Sequence, residues 1–234
     1  MRGFDMGRPK SRLLLCAMAL GVLLASSASA QILEGQILLP DSLGPLTGKT
    51  HVAFDEIPSH PRMFIGGEDG NVLVMDAFTG KRLARISTGP VSALVYCPPR
   101  NKLYVATKDG NGVVVADCGS YEVIRQVPNP SPVTGLCYNP RTDRVYCAAL
   151  PMKVIDCASD IVVDSLMVNG VGASCALDEA HNKLYVGAKD ALKVIDCSFD
   201  SVAADIDEIQ HTRALCFQPT AGKVYAAAGS HFSR

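Results

Sequence analysis

Residues 102–117 read KLYVATKDGNGVVVAD, and this stretch decides the fold class. Asp109-Gly110 is a strong signal for a two-residue β-turn, because Asp and Gly accept the backbone conformations that such a turn demands. The flanking residues are mostly β-branched, aromatic or small, as is usual in strands. Counting outward from the turn places Lys102 opposite Asp117. The stretch therefore predicts two antiparallel strands that form a tight hairpin.

The same hairpin recurs along the chain, which marks an internal repeat. An aromatic residue occupies the first strand of every copy, at intervals of 40, 42, 39 and 40 residues. These aromatic residues are Phe64, Tyr104, Tyr146, Tyr185 and Tyr225. In four copies an aspartate ends the second strand, and these aspartates are Asp76, Asp117, Asp156 and Asp196. An apolar phrase precedes the aromatic strand, and a further strand follows the aspartate.

Each unit thus contains four short strands joined by turns, and no stretch shows the apolar period of a helix. Four antiparallel strands in about 40 residues are typical of one blade of a β-propeller. We therefore predict an all-β fold, a β-propeller of four-stranded antiparallel blades. Residues 51–234 hold these repeats, with four complete blades and the first two strands of a partial fifth.

The first fifty residues are expected to lie outside the repeats. Residues 1–30 contain basic residues, an apolar run of 12 residues and then Ala28-Ser29-Ala30, which together predict a cleaved signal peptide. Residues 31–50 contain an N-terminal strand, which could close a ring of blades, and a linker. Two interpretations remain: a small ring closed after five blades, or a piece of a longer chain. We favour the second, because strand 223–228 would otherwise have an unpaired edge.

The composition of the 234-residue chain narrows its partners and its location. Hydrophobic residues make up 48% of the chain and charged residues 19%, so it can bury a core. The formal net charge of -1 provides no field that would attract nucleic acid or an anionic membrane. We therefore expect neither partner, and no membrane insertion after signal cleavage. The expected location is the periplasm, the cell surface or the extracellular space.

The strand phrases also carry a family resemblance. Tyr104-Val105-Ala106-Thr107 and Tyr185-Val186-Gly187-Ala188, each followed downstream by an Asp-terminated strand, resemble the YVTN-type repeats of bacterial exported β-propellers. The resemblance covers residues 50–234, and it differs from the namesake motif at the third and fourth positions. It implies the propeller fold and includes both surface-layer and lactonase-like relatives, whose activities differ. Fold alone therefore implies no function.

The aspartate series invites a calcium or catalytic interpretation, but hairpin register offers a structural one. In each complete unit a basic residue faces the aspartate across two strands, where opposite charges stabilise a sheet by about 0.2 to 1 kcal/mol. The predicted cross-strand pairs are Arg62 with Asp76, Lys102 with Asp117, Arg144 with Asp156, and Lys183 with Asp196. We expect these residues to be structural rather than ligands.

Eight cysteines follow the predicted signal peptide, and their positions favour a packing role. Cys118, Cys157 and Cys197 recur at one repeat position that holds alanine in the first unit, as expected of a small apolar core site. The pair Cys137 and Cys147 is the first disulfide to check, because the two residues could face each other across a hairpin. No cysteine spacing matches a zinc motif, so we expect no metal and no cofactor.

The leading hypothesis for function is a scaffold that binds protein or glycan through the loops of one face, without catalysis. Connections between units and the middle hairpin turns should emerge on that face, where binding surfaces are usually built. The candidate binding residues are Lys49, His51, Lys108, Lys189, His211 and Arg213. Arg100 and Arg141 should lie on the opposite face. The alternative is a lactonase-like hydrolase or lyase with a site at the central channel, completed by blades absent from this chain.

Overall fold

The computed structural model describes residues 51–55, 59–110, 112–129, 131–168 and 171–229, all within the compact unit Pro40–Arg234. The predicted signal peptide, the predicted N-terminal strand and Lys49 lie outside the described residues. In the part of the chain that is described, no helix is long and apolar enough to cross a membrane.

Eighteen strands in the described residues form four sheets of four strands and one sheet of two. In chain order they are β1 (His51–Asp55), β2 (Arg62–Gly66), β3 (Asn71–Asp76), β4 (Arg82–Ser87), β5 (Val91–Cys97), β6 (Lys102–Thr107), β7 (Val113–Asp117), β8 (Val123–Val127), β9 (Gly135–Asn139), β10 (Arg144–Ala148), β11 (Met152–Asp156), β12 (Ile161–Leu166), β13 (Val171–Asp178), β14 (Lys183–Ala188), β15 (Leu192–Asp196), β16 (Ser201–Ile206), β17 (Thr212–Gln218) and β18 (Lys223–Ala228). A short 3-10 helix, Pro98–Arg100, follows β5. The prediction of four-stranded all-β units is confirmed.

Every sheet is an antiparallel meander in which sequence neighbours pair, so the first sheet is β1-β2-β3-β4 and the fifth is β17-β18. The predicted register is also confirmed, since Lys102 is the partner of Asp117 and Arg62 is the partner of Asp76. A register shift interrupts the pairing of the third with the fourth strand at the same point of all four larger sheets. Such a bulge increases the local twist of the outermost strand.

The core lies between successive sheets, in three apolar layers that we call seams. The first seam joins sheets one and two around Phe64, the second joins sheets two and three around Tyr104, and the third joins sheets three and four around Tyr146. All three aromatic side chains are buried, as the repeat position predicts. Each seam therefore buries one face of each sheet against its successor, and this removes apolar surface from water.

The turns and connections of each sheet lie at the two ends of its strands, which we call the upper edge and the lower edge. At the upper edge the connections between sheets lie beside the second-to-third-strand turns: Val91 N–H donates to Gly67 O at 2.9 Å, and His211 N–H donates to Lys189 O at 3.1 Å. At the lower edge the other two turns of each sheet meet, as where Cys118 N–H donates to Asn101 O at 2.9 Å. The two-faced arrangement predicted from strand order is therefore present.

Candidate functional site

Each base of the four predicted cross-strand pairs faces its aspartate, but three of the four bases form their ion pairs with other acids. Lys102 turns away from Asp117 and crosses the second seam, where Nζ lies 2.7 Å from Asp160 Oδ2 and 3.1 Å from Cys157 O. Tyr104 donates its hydroxyl to the other oxygen of Asp160 at 2.6 Å. Burial and this hydrogen bond raise the pKa of Tyr104, so the hydroxyl stays a donor. Asp160 therefore binds two groups of the preceding sheet.

The third seam repeats this arrangement with different residues. Arg144 forms an ion pair with Asp200 of the fourth sheet instead of Asp156, and Tyr146 donates to Asp200 Oδ1 at 2.6 Å. Asp160 and Asp200 both adopt a positive φ, 57° and 47°, which Asp tolerates better than most residues. The recurring geometry joins each sheet to its successor by a base, a tyrosine and an acid.

The first seam shows what happens when the acid is missing. The position equivalent to Asp160 is Tyr121 in the second sheet, also with a positive φ. Arg62 therefore reaches other groups: Nε donates to Asp55 Oδ2 at 2.7 Å and Nη2 to Asn101 Oδ1 at 2.7 Å. It also donates to the carbonyl of Cys118 across the seam. Arg62, like Lys102, therefore stabilises the contact between sheets, and it does not form the predicted ion pair with Asp76.

The aspartates of the predicted pairs act within their own turns. Asp156 Oδ1 accepts hydrogen bonds from Ser159 N–H at 2.8 Å and from Ser159 Oγ at 2.6 Å, and these bonds lower the pKa of Asp156. The other three aspartates cap equivalent turns, since Asp76 accepts from Thr79, Asp117 from Ser120 and Asp196 from Ser198. Attraction to Arg144 contributes less than the turn bonds to the lowered pKa of Asp156. Lys183 and Asp196 face each other as predicted, but Asp196 is occupied by its turn.

The described candidate binding residues lie near the upper edge, in different environments. Lys108 forms an ion pair with Glu68, which ties the second sheet to the first. Lys189 and Arg213 are exposed, at the β14–β15 turn and on β17. His211 adopts a φ of 50° and is hydrogen-bonded to the Lys189 carbonyl, and His51 begins β1 half-buried. The geometry therefore brings Lys189, His211 and Arg213 into one neighbourhood.

Arg100 and Arg141 lie at the lower edge, as predicted, and both are engaged there. Arg100 Nε donates to Asp143 Oδ2 at 2.8 Å. Arg141 Nη1 donates to Glu179 O at 3.2 Å and to Ala180 O at 3.0 Å, which binds the third sheet to the fourth. Charge reversal of either arginine would therefore disturb the fold as well as the surface.

Sequence reasoning missed a cluster of two thiols and a carboxylate at the second seam. Cys97, Asp143 and Cys157 bring one Sγ, one carboxylate oxygen and one Sγ within 4.8 Å of one another. The Cys97 Sγ atom lies 3.7 Å from Asp143 Oδ1, and both thiols are buried. Tyr138 donates its hydroxyl to the same oxygen at 3.2 Å. The cluster falls on three separated stretches of chain, which is why no local spacing motif revealed it.

A cavity of about 950 Å³ opens at the lower edge between the first strands of the third, fourth and fifth sheets. Its lining includes Cys137, Cys175, Cys216, Arg141 and Glu179. A hydrogen bond with the Cys175 thiol, together with burial, raises the pKa of Cys137. The guanidinium of Arg141 is directed to backbone carbonyls rather than to a carboxylate oxygen of Glu179.

The candidate disulfide between Cys137 and Cys147 is contradicted by the register. Cys137 is the partner of Tyr146, and Cys147 is the partner of Leu136, so the two cysteines occupy adjacent positions on opposite faces of the third sheet. Cys147 packs into the second seam and Cys137 against the third. A disulfide between them would require the side chains to cross the sheet.

Comparison with known proteins supports the fold. No family model matches the chain. Over 108 residues it is 30% identical to the uncharacterized protein YncE of Salmonella typhi and 29% identical to that of Salmonella typhimurium, a stretch that covers 45% of this chain and 29% of each relative. The match thus spans less than a third of the length of these curated relatives.

Solved structures give a longer match. Hydrazine synthase from Kuenenia stuttgartiensis superposes with a TM-score of 0.69 at 19% identity, over 87% of this chain and 61% of that chain. The β-propeller domain of Cps50 (Swd1) from Myceliophteria thermophila superposes with a TM-score of 0.64 at 17% identity, over 78% of this chain and 62% of that domain. The fold is that of β-propellers. At these identities the likeness concerns architecture alone. We call each sheet a blade, including the two-stranded fifth sheet.

Proposed function

We propose that this chain is an exported β-propeller scaffold of the YVTN-repeat type, with four complete blades and a partial fifth, which binds a protein or glycan through its upper edge. One observation carries the proposal. At the lower edge Lys102 and Arg144 bind one blade to the next, whereas Lys189 and Arg213 lie in one neighbourhood with His211 at the upper edge, are exposed, and have no ion pair with any described residue. Surface charges with no structural task are available to a partner.

Hydrogen bonds and an ion pair join neighbouring loops of the upper edge, which favours binding. The ion pair of Lys108 with Glu68 and the hydrogen bond from Lys108 N–H to Pro90 O, 2.8 Å, fix two turns and the connection between them. In the third blade Ser131 Oγ donates to Leu150 O at 2.7 Å and fixes the next connection. A partner that meets loops held in this way loses less conformational entropy on binding.

The charge pattern of the upper edge suits a polar partner better than a nucleic acid. Around the fourth blade, Lys189 is accompanied by Asp190, Asp207 and Glu208, all exposed. Lys193 is paired with Asp205, and this hydrogen bond raises the pKa of the lysine. Mixed charges with more acids than bases would repel a phosphate backbone. The same mixture offers donors and acceptors for sugar hydroxyls or for a protein surface.

The test compares two double charge reversals in the full chain. K189E/R213E changes the upper edge, and K81E/K223E is the matched control, because Lys81 and Lys223 are exposed lysines at the lower edge. Each labelled variant is probed with an array of immobilised glycans and with an extract of cell-envelope proteins. We expect the retained signal to fall at least tenfold for K189E/R213E and to be unchanged for the control. Equal loss in both, or loss only in the control, would reject the upper edge as the binding surface.

A further inference from the structure

We propose that Cys97, Asp143 and Cys157 form a binding site for a thiophilic divalent cation, with Zn²⁺ as the best match, which joins the second blade to the third. Cys97 ends β5 and belongs to the second blade. Asp143 directly precedes β10, and Cys157 directly follows β11, so both belong to the third. One bound ion would therefore hold two sheets together at the lower edge of the second seam.

The separation of the ligand atoms fits a tetrahedral centre. Zinc binds thiolate sulfur at about 2.3 Å and carboxylate oxygen at about 2.0 Å, so sulfur and oxygen across a tetrahedral angle are about 3.5 Å apart. The Cys97 Sγ to Asp143 Oδ1 distance is 3.7 Å, and all three ligand atoms lie within 4.8 Å of one another. Small shifts of side chains suffice to close the site. Two sulfurs and one oxygen leave a fourth position for water.

The other seams show that the second one is distinct. The residue that ends the first strand is Asp55 in the first blade and Asn139 in the third, where the second has Cys97. At the third seam Asn139 contacts Asn182 of the next blade, since Asn139 Nδ2 donates to Asn182 Oδ1 at 2.7 Å. At the second seam Cys97 contacts Asp143, the residue at the same repeat position as Asn182. At the first seam Arg62 and Asn101 make the link. Only at the second of these three seams is an amide link replaced by a thiol and a carboxylate.

The surroundings supply the groups that a metal site needs around its ligands. Arg100 Nε donates to Asp143 Oδ2 at 2.8 Å, which leaves Oδ1 directed at Cys97. The positive charge of Arg100 offsets the net negative charge of a divalent cation with three anionic ligands. The side chain of Asp143 is 26% exposed, so an ion can enter from the lower edge.

The repeat provides matched controls for the test. Cys118 and Cys197 occupy the same repeat position as Cys157 and are equally buried, but they lie in seams without a second cysteine at the position of Cys97. The full chain is reduced, stripped with a chelator and titrated with Co²⁺ in the absence of oxygen. We expect a thiolate-to-cobalt charge-transfer band that saturates at one equivalent and is displaced by Zn²⁺. C97S and C157S should abolish the band, whereas C118S and C197S should keep it.

Two further measurements do not depend on a folded cysteine variant. R100A should weaken Co²⁺ binding about 10- to 100-fold, as expected for loss of a group that orients a ligand. In the wild type, Zn²⁺ should protect Cys97 and Cys157 from alkylation under partly denaturing conditions, with the sites mapped by mass spectrometry. No band in the reduced wild type, or a band that survives in C97S and is lost in C216S, would overturn the proposal. A Cys97–Cys157 disulfide in a chain that binds no Co²⁺ after reduction would also overturn it.

Discussion

Replacement of Asp160 by asparagine removes the charge that Lys102 and Tyr104 share across the second seam. Asparagine keeps the shape of the side chain and tolerates the φ of 57°, so the substitution isolates the loss of charge. The two side chains of the ion pair are only 14% and 10% exposed. Loss of one partner of a buried pair costs about 3 to 5 kcal/mol, and the hydroxyl bond to an ionised acceptor accounts for part of it. We expect D160N to lower the free energy of unfolding by about 3 kcal/mol.

The repeat supplies a graded series around this variant. At the third seam Arg144 is 32% exposed, so water can replace its partner, and we expect D200N to cost about 2 kcal/mol. Asp156 lies in an exposed turn, where an asparagine can accept the same hydrogen bonds, so D156N should cost less than about 1 kcal/mol. The predicted order of destabilisation is therefore D160N, then D200N, then D156N.

Chemical unfolding followed by circular dichroism measures the three differences. For a domain of this size, about 3 kcal/mol corresponds to a drop in melting temperature of about 6 to 12 °C. A double-mutant cycle of D160N with Y104F should show coupling of about 0.5 to 3 kcal/mol, because the two side chains share one hydrogen bond. If D160N lowers the free energy of unfolding by no more than D156N does, the assignment of Lys102 to Asp160 across the seam is refuted. If D156N lowers it as much as D200N does, Arg144 pairs with Asp156 within the sheet, as the register suggests, and not with Asp200.

Three other outcomes are expected. Gly66→Ala should destabilise the fold by about 1 to 3 kcal/mol in a thermal melt, because a Cβ there would lie 2.8 Å from a Val91 methyl group, and an unchanged melt would show that the seam can open. In the native reduced chain Cys216, which is exposed, should react with iodoacetamide before buried Cys147, and mass spectrometry will show the order. The turn bonds lower the pKa of Asp156, so its ionised form contributes stability above the unfolded-state pKa of about 3.9, and this is lost as the pH falls through the folded-state value. The stability lost in S159A, measured by urea unfolding at stepped pH, should therefore be largest above about pH 4 and shrink in acid.

The sequence was sufficient for the repeat, the strand register and the buried aromatic positions, because these follow from local rules. A hairpin turn sets which residues face each other, and alternation along a strand sets which face is apolar. Lys102 and Asp117 are therefore partners in register, as predicted. The destination of the Lys102 side chain was not predictable in the same way. A lysine reaches across the space between packed sheets as easily as to its neighbour in the same sheet, and register says nothing about the next sheet.

A signal for the true partner was nevertheless present. Asp160 and Asp200 lie four residues after the turn-capping aspartates of their units, and the first two units have Gly80 and Tyr121 there. A residue type that appears only in some copies of a repeat points to a contact specific to those copies. The thiol cluster gave a fainter signal of the same kind, since Cys97 occupies a position that is polar in the other units.

The seams also explain why the contact between blades has a direction. The aromatic and basic residues lie on the second strand of one blade, and the acid lies in the third-to-fourth-strand turn of the next. The polar contacts of each blade are therefore completed by a residue of the next blade. Contacts between neighbouring blades thus contribute much of the stability, as in other repeat proteins. The fifth blade, as described, comprises β17 and β18. The described strands of the fifth blade do not include the third-to-fourth-strand turn, which carries Asp160 in the third blade and Asp200 in the fourth. Tyr185 of the fourth blade is accordingly only half-buried, whereas Tyr104 and Tyr146 are fully buried.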